Sequence, residues 1–438
     1  MKLSYLSVVY TLITAAWCLD NPHWVDIWNG SPLLARFTPP DSFITPQGYF
    51  RNATIRQTLH LTLATGVFRV KLSNEFGSSP LEVTASTAAL TANNTAGSDS
   101  IDASSLQRLT YSGASSIVIP AGGTVLSDPI NLSTSTQQHL SVSLYLAKGQ
   151  IGTNTTSHDV SHTTTWLGFG DQTANQHING GSSVTHWYYV TEVQGQLPAT
   201  SSALICIGDS ITDGTGSTTN GNDRWVDDLF RRTQAAPATK NIAVLNAGIG
   251  GNHLVTSPGQ GPSALERIKS IIAQPGVRYI AILDGVNDIG HVAKTAAAQD
   301  ALYDQMVQAL EEIIDEVHQA GLPIFGGTLT PSFYDPPSNP DTSNYADPQR
   351  AATRNRLNLW IKNEAKFDYV IDYAAVLADP GNPDSYKAQY AFTNYIHPNV
   401  AGHQAMADAW DLRVFQQFSG TSASFFLEEE NDIHGPSQ

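Results

Sequence analysis

The stretch Ala203-Leu204-Ile205-Cys206-Ile207-Gly208-Asp209-Ser210-Ile211-Thr212-Asp213-Gly214 decides how the chain is read. Ala203 to Ile207 is an unbroken apolar run, the pattern of a short strand buried on both faces. Gly208 ends it, and Ser210 is presented on the turn that follows. Open α/β sheets place their reactive groups at the carboxyl ends of such strands. A Gly-Asp-Ser tripeptide arises by chance in a chain of 438 residues, so its weight rests on what comes after it.

What comes after it is a repeat of strand, loop and helix. Strands are expected at 203–207, 241–246, 278–283, 322–327 and 368–372, and helices at 223–235, 262–273, 296–320, 347–365 and 399–416. In the third helix Leu302, Met306, Leu310, Ile313, Ile314 and Val317 fall at helical spacing. Alternating βα units predict a parallel sheet with helices on both faces, a three-layer α/β/α arrangement. Five strands suit the flavodoxin-like order 2-1-3-4-5, whose ligand crevice lies between strands one and three. Strand one ends in Ser210, and strand three ends in Asp284-Gly285-Val286-Asn287-Asp288. Two polar, turn-forming sequences therefore meet at the expected crevice.

Before residue 195 the texture differs. Val67 to Leu72 alternates apolar and basic residues, and Leu140, Val142, Leu144 and Leu146 share one face of the segment 138–147. Segments 115–120 and 184–190 are further short strands, with Gly, Ser, Thr, Asn and Pro between them. Many short strands without helices predict an all-β sandwich or jelly roll over 19–195, ahead of an α/β domain at 200–418. Residues 419–438, with Glu428 to Glu430, read as a polar, acidic, disordered tail.

Composition narrows the partners. The formal charge of −16 and pI near 5.1 repel nucleic acid and anionic membrane. Residues 1–18 read as a secretory leader: Lys2, then an apolar run from Leu3 to Trp17 too short to span a membrane, then a cleavage site near Cys18. Once Cys18 leaves with the leader, Cys206 has no partner and is expected to be a core residue. Glycosylation acceptor triplets begin at Asn29, Asn52, Asn93, Asn131 and Asn154, all before residue 160. Pro32 directly after its triplet makes Asn29 the weakest of them. These features place the chain outside the cell.

Two more segments complete a constellation. After strand two comes Asn246-Ala247-Gly248-Ile249-Gly250-Gly251-Asn252-His253, a turn at which backbone can approach a ligand. It lacks the Lys-Ser/Thr of a phosphate-binding loop, which argues against a nucleotide. Near the end, Asn394-Tyr395-Ile396-His397-Pro398 precedes the last helix. A lone histidine is ordinarily a surface or core residue, but His397 follows the last strand of a sheet that already offers Ser210, and it is the candidate base.

Four blocks in this order, Gly208-Asp209-Ser210, the Gly251 turn, Gly285-Val286-Asn287-Asp288 and His397-Pro398, resemble the SGNH subgroup of the GDSL family of serine esterases and acylhydrolases. The resemblance covers residues 200 to about 416. Leu72-Ser73-Asn74-Glu75-Phe76-Gly77 is similar to the β-domain that precedes some secreted members. The resemblance implies Ser210 as nucleophile and His397 as its base, with no metal or organic cofactor. It implies an oxyanion hole from the Ser210 N–H, the Gly251 N–H and the Asn287 amide, each donor lowering the barrier by about 3–4 kcal/mol. The family carries an acid three residues before the histidine, where this chain has Asn394. Three outcomes follow: Asn394 or a backbone carbonyl orients His397; a displaced acid such as Asp372, Asp379 or Asp384 does so; or activity is weak or lost.

Other polar residues have plainer readings. Asp209 and Asp213 shape the turn, Asp284 and Asp288 lack the further ligands a metal site needs, Arg224 and Trp225 either line the rim or pack the helix start, and His253 is a solvated loop histidine. The expected function is a secreted esterase acting on short acyl esters of carbohydrate. Lipid or aryl ester hydrolysis is the alternative within the family. A glycan-binding protein with an impaired SGNH domain is the alternative outside it. Oligomeric state is unreadable.

Overall fold

The computed structural model describes residues 21–259, 261–332, 345–394 and 396–418. The expected leader at 1–18 and the tail at 419–438 lie outside the described residues. In the second half, five strands form one parallel sheet: β1 (Ser202–Gly208), β2 (Ile242–Gly248), β3 (Val277–Leu283), β4 (Ile324–Gly327) and β5 (Tyr369–Ile371). Their order is β2-β1-β3-β4-β5, as the alternation of strands and helices predicts. All seven residues of β1 are buried, which is why its sequence carries no alternation.

The helices are α1 (Ser210–Asp213), α2 (Trp225–Ala235), α3 (Ala264–Ile272), α4 (Val286–His291), α5 (Ala296–Gln319), α6 (Pro348–Asn363), α7 (Tyr373–Leu377), α8 (Val400–Asp408) and α9 (Val414–Gln417). They fall into two packed groups, α2 with α7 and α8, and α3 with α4, α5 and α6, as covering two faces of a sheet requires. The expected helix at 399–416 is two pieces. Trp410 is buried between them, stacks on Trp225 and Phe415, and donates its indole N–H to the Tyr373 hydroxyl at 2.8 Å. Seating that ring turns the chain, so α8 stops at Asp408. Cys206 is buried in β1.

The first half is all β. One antiparallel sheet orders His23–Asn29, Val190–Leu197, Val67–Ser73 and Thr124–Leu126; the other orders Ser182–Val184, Thr165–Phe169, Ala53–His60, His139–Leu146, Ala85–Leu90 and Gln107–Arg108. Phe68, Val70 and Leu72 point into the core, while Arg69 and Lys71 turn out to Gln194 and Glu192. The segment expected as one strand at 184–190 is interrupted. Tyr189 takes a positive φ of 62°, which breaks the extended run before Val190–Leu197 begins.

The two halves are in direct contact. The Asp26 N–H donates to the Pro275 carbonyl at 2.9 Å, and the Asn29 amide donates to Gln274 Oε1 at 3.0 Å. Asn29 is therefore buried, its side-chain oxygen taken by Ser31, and this position corrects the acceptor set read from the triplets. Asn52, Asn93, Asn131 and Asn154 are exposed.

Candidate active site

Ser210 is the first residue of α1. Asp209 caps that helix, its Oδ1 accepting from the Ile211 N–H at 2.9 Å. His397 arrives from the loop before α8, held by the Phe392 N–H donating to its carbonyl and by the Tyr386 hydroxyl donating to the Ile396 carbonyl. Gly216 lets the two loops meet: it sits at φ +96°, and a Cβ there would lie 2.0 Å from the Pro398 carbonyl oxygen. The outcome is a Ser210 Oγ to His397 Nε2 distance of 2.6 Å.

The proposed oxyanion donors stand around this pair. The N–H groups of Ser210 and Gly251 donate to no partner among the described residues, as befits donors kept for a substrate. Asn287, in the first turn of α4, gives one amide hydrogen to the Asn252 carbonyl at 2.8 Å, and the Tyr345 hydroxyl donates to its oxygen at 2.9 Å. Burial pushes the Tyr345 phenol up to about 12, so it stays a donor and fixes which way the amide points. One Asn287 hydrogen remains unspent. Asn252 is in turn held by Arg267, which also donates to the Ala247 and Gly208 carbonyls at the ends of β2 and β1. Tyr345 and Arg267 have no motif signal; only the folded chain brings them here.

Asn394 does not face His397 as an acid would. Its Oδ1 accepts the backbone N–H groups of Ile396 at 3.2 Å and His397 at 3.3 Å. A backbone N–H only donates, so the oxygen must lie on that side. The amide nitrogen is left 2.8 Å from His397 Nδ1. Nδ1 then accepts, and the single proton of the neutral ring sits on Nε2, pointing at Ser210. This is the tautomer that cannot take the serine proton. Asn394 thus meets the ring through its amide N–H.

None of the three displaced acids stands in. Asp372 bonds Thr328 and Lys362, Asp379 closes a turn on Gly381, and Asp384 pairs with Arg354. Burial, then the neighbouring His403 and His162, pushes the His397 imidazole down to about 3, with only Asp213 raising it. The resting His397 ring is neutral.

Trp225 is a core ring stacked on Trp410, and Arg224 caps α2 while bonding the Asp213 and Ser161 carbonyls, so helix packing is the reading that holds for both. Asp288 accepts the N–H groups of Leu254 and Val255, shaping the turn after β2. His253 is buried against His291, which corrects the solvated reading; burial, with His291 beside it, lowers it to about 4. Among the described residues no set of three or more His, Cys, Asp or Glu side chains could hold a metal ion, and no helix is long and apolar enough to cross a membrane.

The first half also reaches the site. Arg36 is pinned to Asp159 through its Nε at 2.9 Å, with Nη2 3.8 Å from where a Gly250 Cβ would stand. Phe37 next to it is exposed and stacks on His186.

Residues 206–405 match the model of the GDSL-like lipase/acylhydrolase family. This part of the chain is a GDSL-like acylhydrolase domain. Similar solved structures include an acetylxylan esterase from Geobacillus stearothermophilus, 22% identical over 51% of this chain and 97% of that one, TM-score 0.34. A GDSL-like lipase from Bacteroides thetaiotaomicron is 15% identical over 49% of this chain and 88% of that one, TM-score 0.34. An alpha/beta hydrolase from the metagenome of Lake Arreo is 20% identical over 50% of this chain and 95% of that one, TM-score 0.33. No curated protein matches the chain. The GDSL-like domain makes the chain an ester hydrolase of the acylhydrolase type, and it lies wholly in the second half.

Proposed function

We propose that the chain is a secreted serine esterase that removes short acyl groups, acetyl foremost, from carbohydrate. The observation that carries the chemistry is the 2.6 Å contact between Ser210 Oγ and His397 Nε2 at the crevice between β1 and β3. In turnover the Asn394 amide must turn so that its oxygen accepts from Nδ1, which places the ring proton there; His397 then takes the serine proton on Nε2 as Oγ adds to the ester carbonyl. The carbonyl oxygen then gathers charge beside the N–H groups of Ser210 and Gly251 and the Asn287 amide. His397 returns the proton to the leaving alcohol, and water repeats the sequence on the acyl-enzyme.

Carbohydrate as the substrate is supported by the wall of the site. The Arg36 guanidinium, close to the Gly250 position, offers donors suited to sugar hydroxyls, and Phe37, next to Arg36 in sequence, is an exposed aromatic residue. Secretion is supported by the exposed acceptor asparagines Asn52, Asn93, Asn131 and Asn154 and by the acidic surface. The test is turnover of p-nitrophenyl acetate and acetylated xylan by the protein and by Ser210→Ala. Loss of at least ~10³-fold in the variant is expected, and equal rates would overturn the assignment.

One observation favours a second reading. The Asn394 amide leaves His397 in the tautomer that cannot act as base, which fits a glycan-binding protein whose hydrolase domain turns over slowly or not at all. Turnover of acetylated xylan no faster than the Ser210→Ala background, with tight binding of the polymer, selects it.

A further inference from the structure

The turn that carries Ser210 is gripped from the other half of the molecule. α1 ends at Asp213, whose Oδ1 lies 3.0 Å from Nε2 of His158, on the strand Thr156–His158. The other ring nitrogen of His158 lies 3.1 Å from the Ser31 carbonyl oxygen. Both side chains are 5% exposed or less. A carbonyl oxygen only accepts, and so does a carboxylate. Both nitrogens of His158 therefore carry protons, and the ring is a buried imidazolium. Arg224 makes a second tie, donating to the Asp213 carbonyl at 3.0 Å and to the Ser161 carbonyl at 2.5 Å.

Asp213 also touches the turn that carries Gly251. Among the described residues its Oδ2 has no hydrogen-bond partner, and it would lie 3.2 Å from a Cβ on Gly250; a Cβ on Gly248 would lie 2.1 Å from the Asp213 nitrogen. One carboxylate thus spaces the serine turn from the oxyanion turn. Left unpaired, its charge would oppose the negative oxygen that develops in the transition state.

We propose that His158 is a positioning residue of the esterase: as a buried cation from the β-rich half it holds and neutralises Asp213, and through Asp213 sets the spacing and charge between the Ser210 and Gly250–Gly251 turns. This rests on the serine esterase reading. The first half then serves as part of the catalytic unit as well as a wall for substrate.

The test is a double-mutant cycle in the full chain with p-nitrophenyl acetate, using His158→Asn, Asp213→Asn and the pair, each checked for a cooperative thermal transition. His158→Asn is expected to lower kcat by at least about tenfold with KM within about twofold, because it leaves a buried charge beside the oxyanion turn. In the Asp213→Asn background the same change should alter kcat by less than about threefold, since no carboxylate remains to be neutralised. Equal losses in both backgrounds, or a loss confined to KM, overturn the proposal. If His158→Asn alone does not fold, the two Asp213→Asn proteins decide: a difference of tenfold or more between them overturns it, and near-equal rates support it. Failure of the esterase reading shows separately, as no difference between wild type and Ser210→Ala.

Discussion

His158 and His397 are both buried or half-buried, and each has one ring nitrogen on a side chain three atoms deep. The difference lies in the partner. His158 faces a carboxylate and a carbonyl, so it holds two protons; desolvation works against that charge, but Asp213 overrides it and raises the ring above its ordinary value. His397 faces an amide N–H and a serine, so it is neutral, and burial carries it down to about 3. One atom, oxygen or nitrogen in the partner, decides whether the imidazole is a cation or a neutral donor. In this molecule the cation stands beside the nucleophile's turn, and the neutral ring stands at the nucleophile itself.

The largest expected effect comes from making the two alike. Asn394→Asp keeps the oxygen that caps Ile396 and His397 and replaces the amide nitrogen with an acceptor, so the Nδ1–H tautomer becomes the stable one. In serine proteases the reverse exchange costs about 10⁴ in kcat, and a gain of roughly 10² to 10⁴ is expected in p-nitrophenyl acetate hydrolysis. A rate within twofold of wild type would show that another group orients the ring. The same pair of proteins separates by pH. With His397 near 3, wild-type kcat/KM should be flat from about pH 5 to 8; Asn394→Asp should raise the ring's pKa and introduce an acid limb in that range.

Breaking the other pair reads out in stability. Removing one partner of a buried ion pair costs about 3–5 kcal/mol, so His158→Ala should lower the thermal midpoint markedly. His158 is raised in the folded state. Its contribution is therefore complete below the unfolded value of about 6.5 and disappears as pH rises through the folded value. Asp213, Asp159, His162 and His186 stand close to it, and Arg224 acts on it through Asp213; together they set where that occurs. The gap in thermal midpoint between wild type and variant should be widest in mildly acidic buffer and narrow with increasing pH; a gap that widens would mean the ring is neutral. The smallest effect is expected at Gly250→Ala, whose methyl would meet Asp213 Oδ2 at 3.2 Å. A loss of about two- to fivefold in kcat, with the fold intact, would report on the spacing alone.

The reach of sequence reading follows the same division. The sheet order was legible because each βα unit writes its period locally, and Ser210, Asn287 and His397 lie at ends of elements that the order places together. The contact with His158 was not, because it joins residues 55 apart across two different folding patterns, and His158 lies in a three-residue strand whose surroundings carry no chemical motif. The role of Asn394 was half legible. Its identity is in the sequence, but which of its two terminal atoms meets the ring depends on where the Ile396 and His397 N–H groups point. His253 was misread as solvated because loop polarity says nothing about the His291 ring that covers it. Asn29 was misread because its burial comes from Gln274, far along the chain.

The strand His23–Asn29 has a consequence for how this protein is made. It is the first described strand to emerge during synthesis, yet it pairs with Val190–Leu197, and His23 waits for the Ser201 carbonyl, 178 residues on. Its buried residues Val25, Ile27 and Trp28 stay uncovered until then. Contacts of such long sequence separation make folding slow and leave apolar surface open to wrong partners. The first sheet therefore cannot close along this edge until residues 190–201, which lead directly into the parallel sheet, have been made.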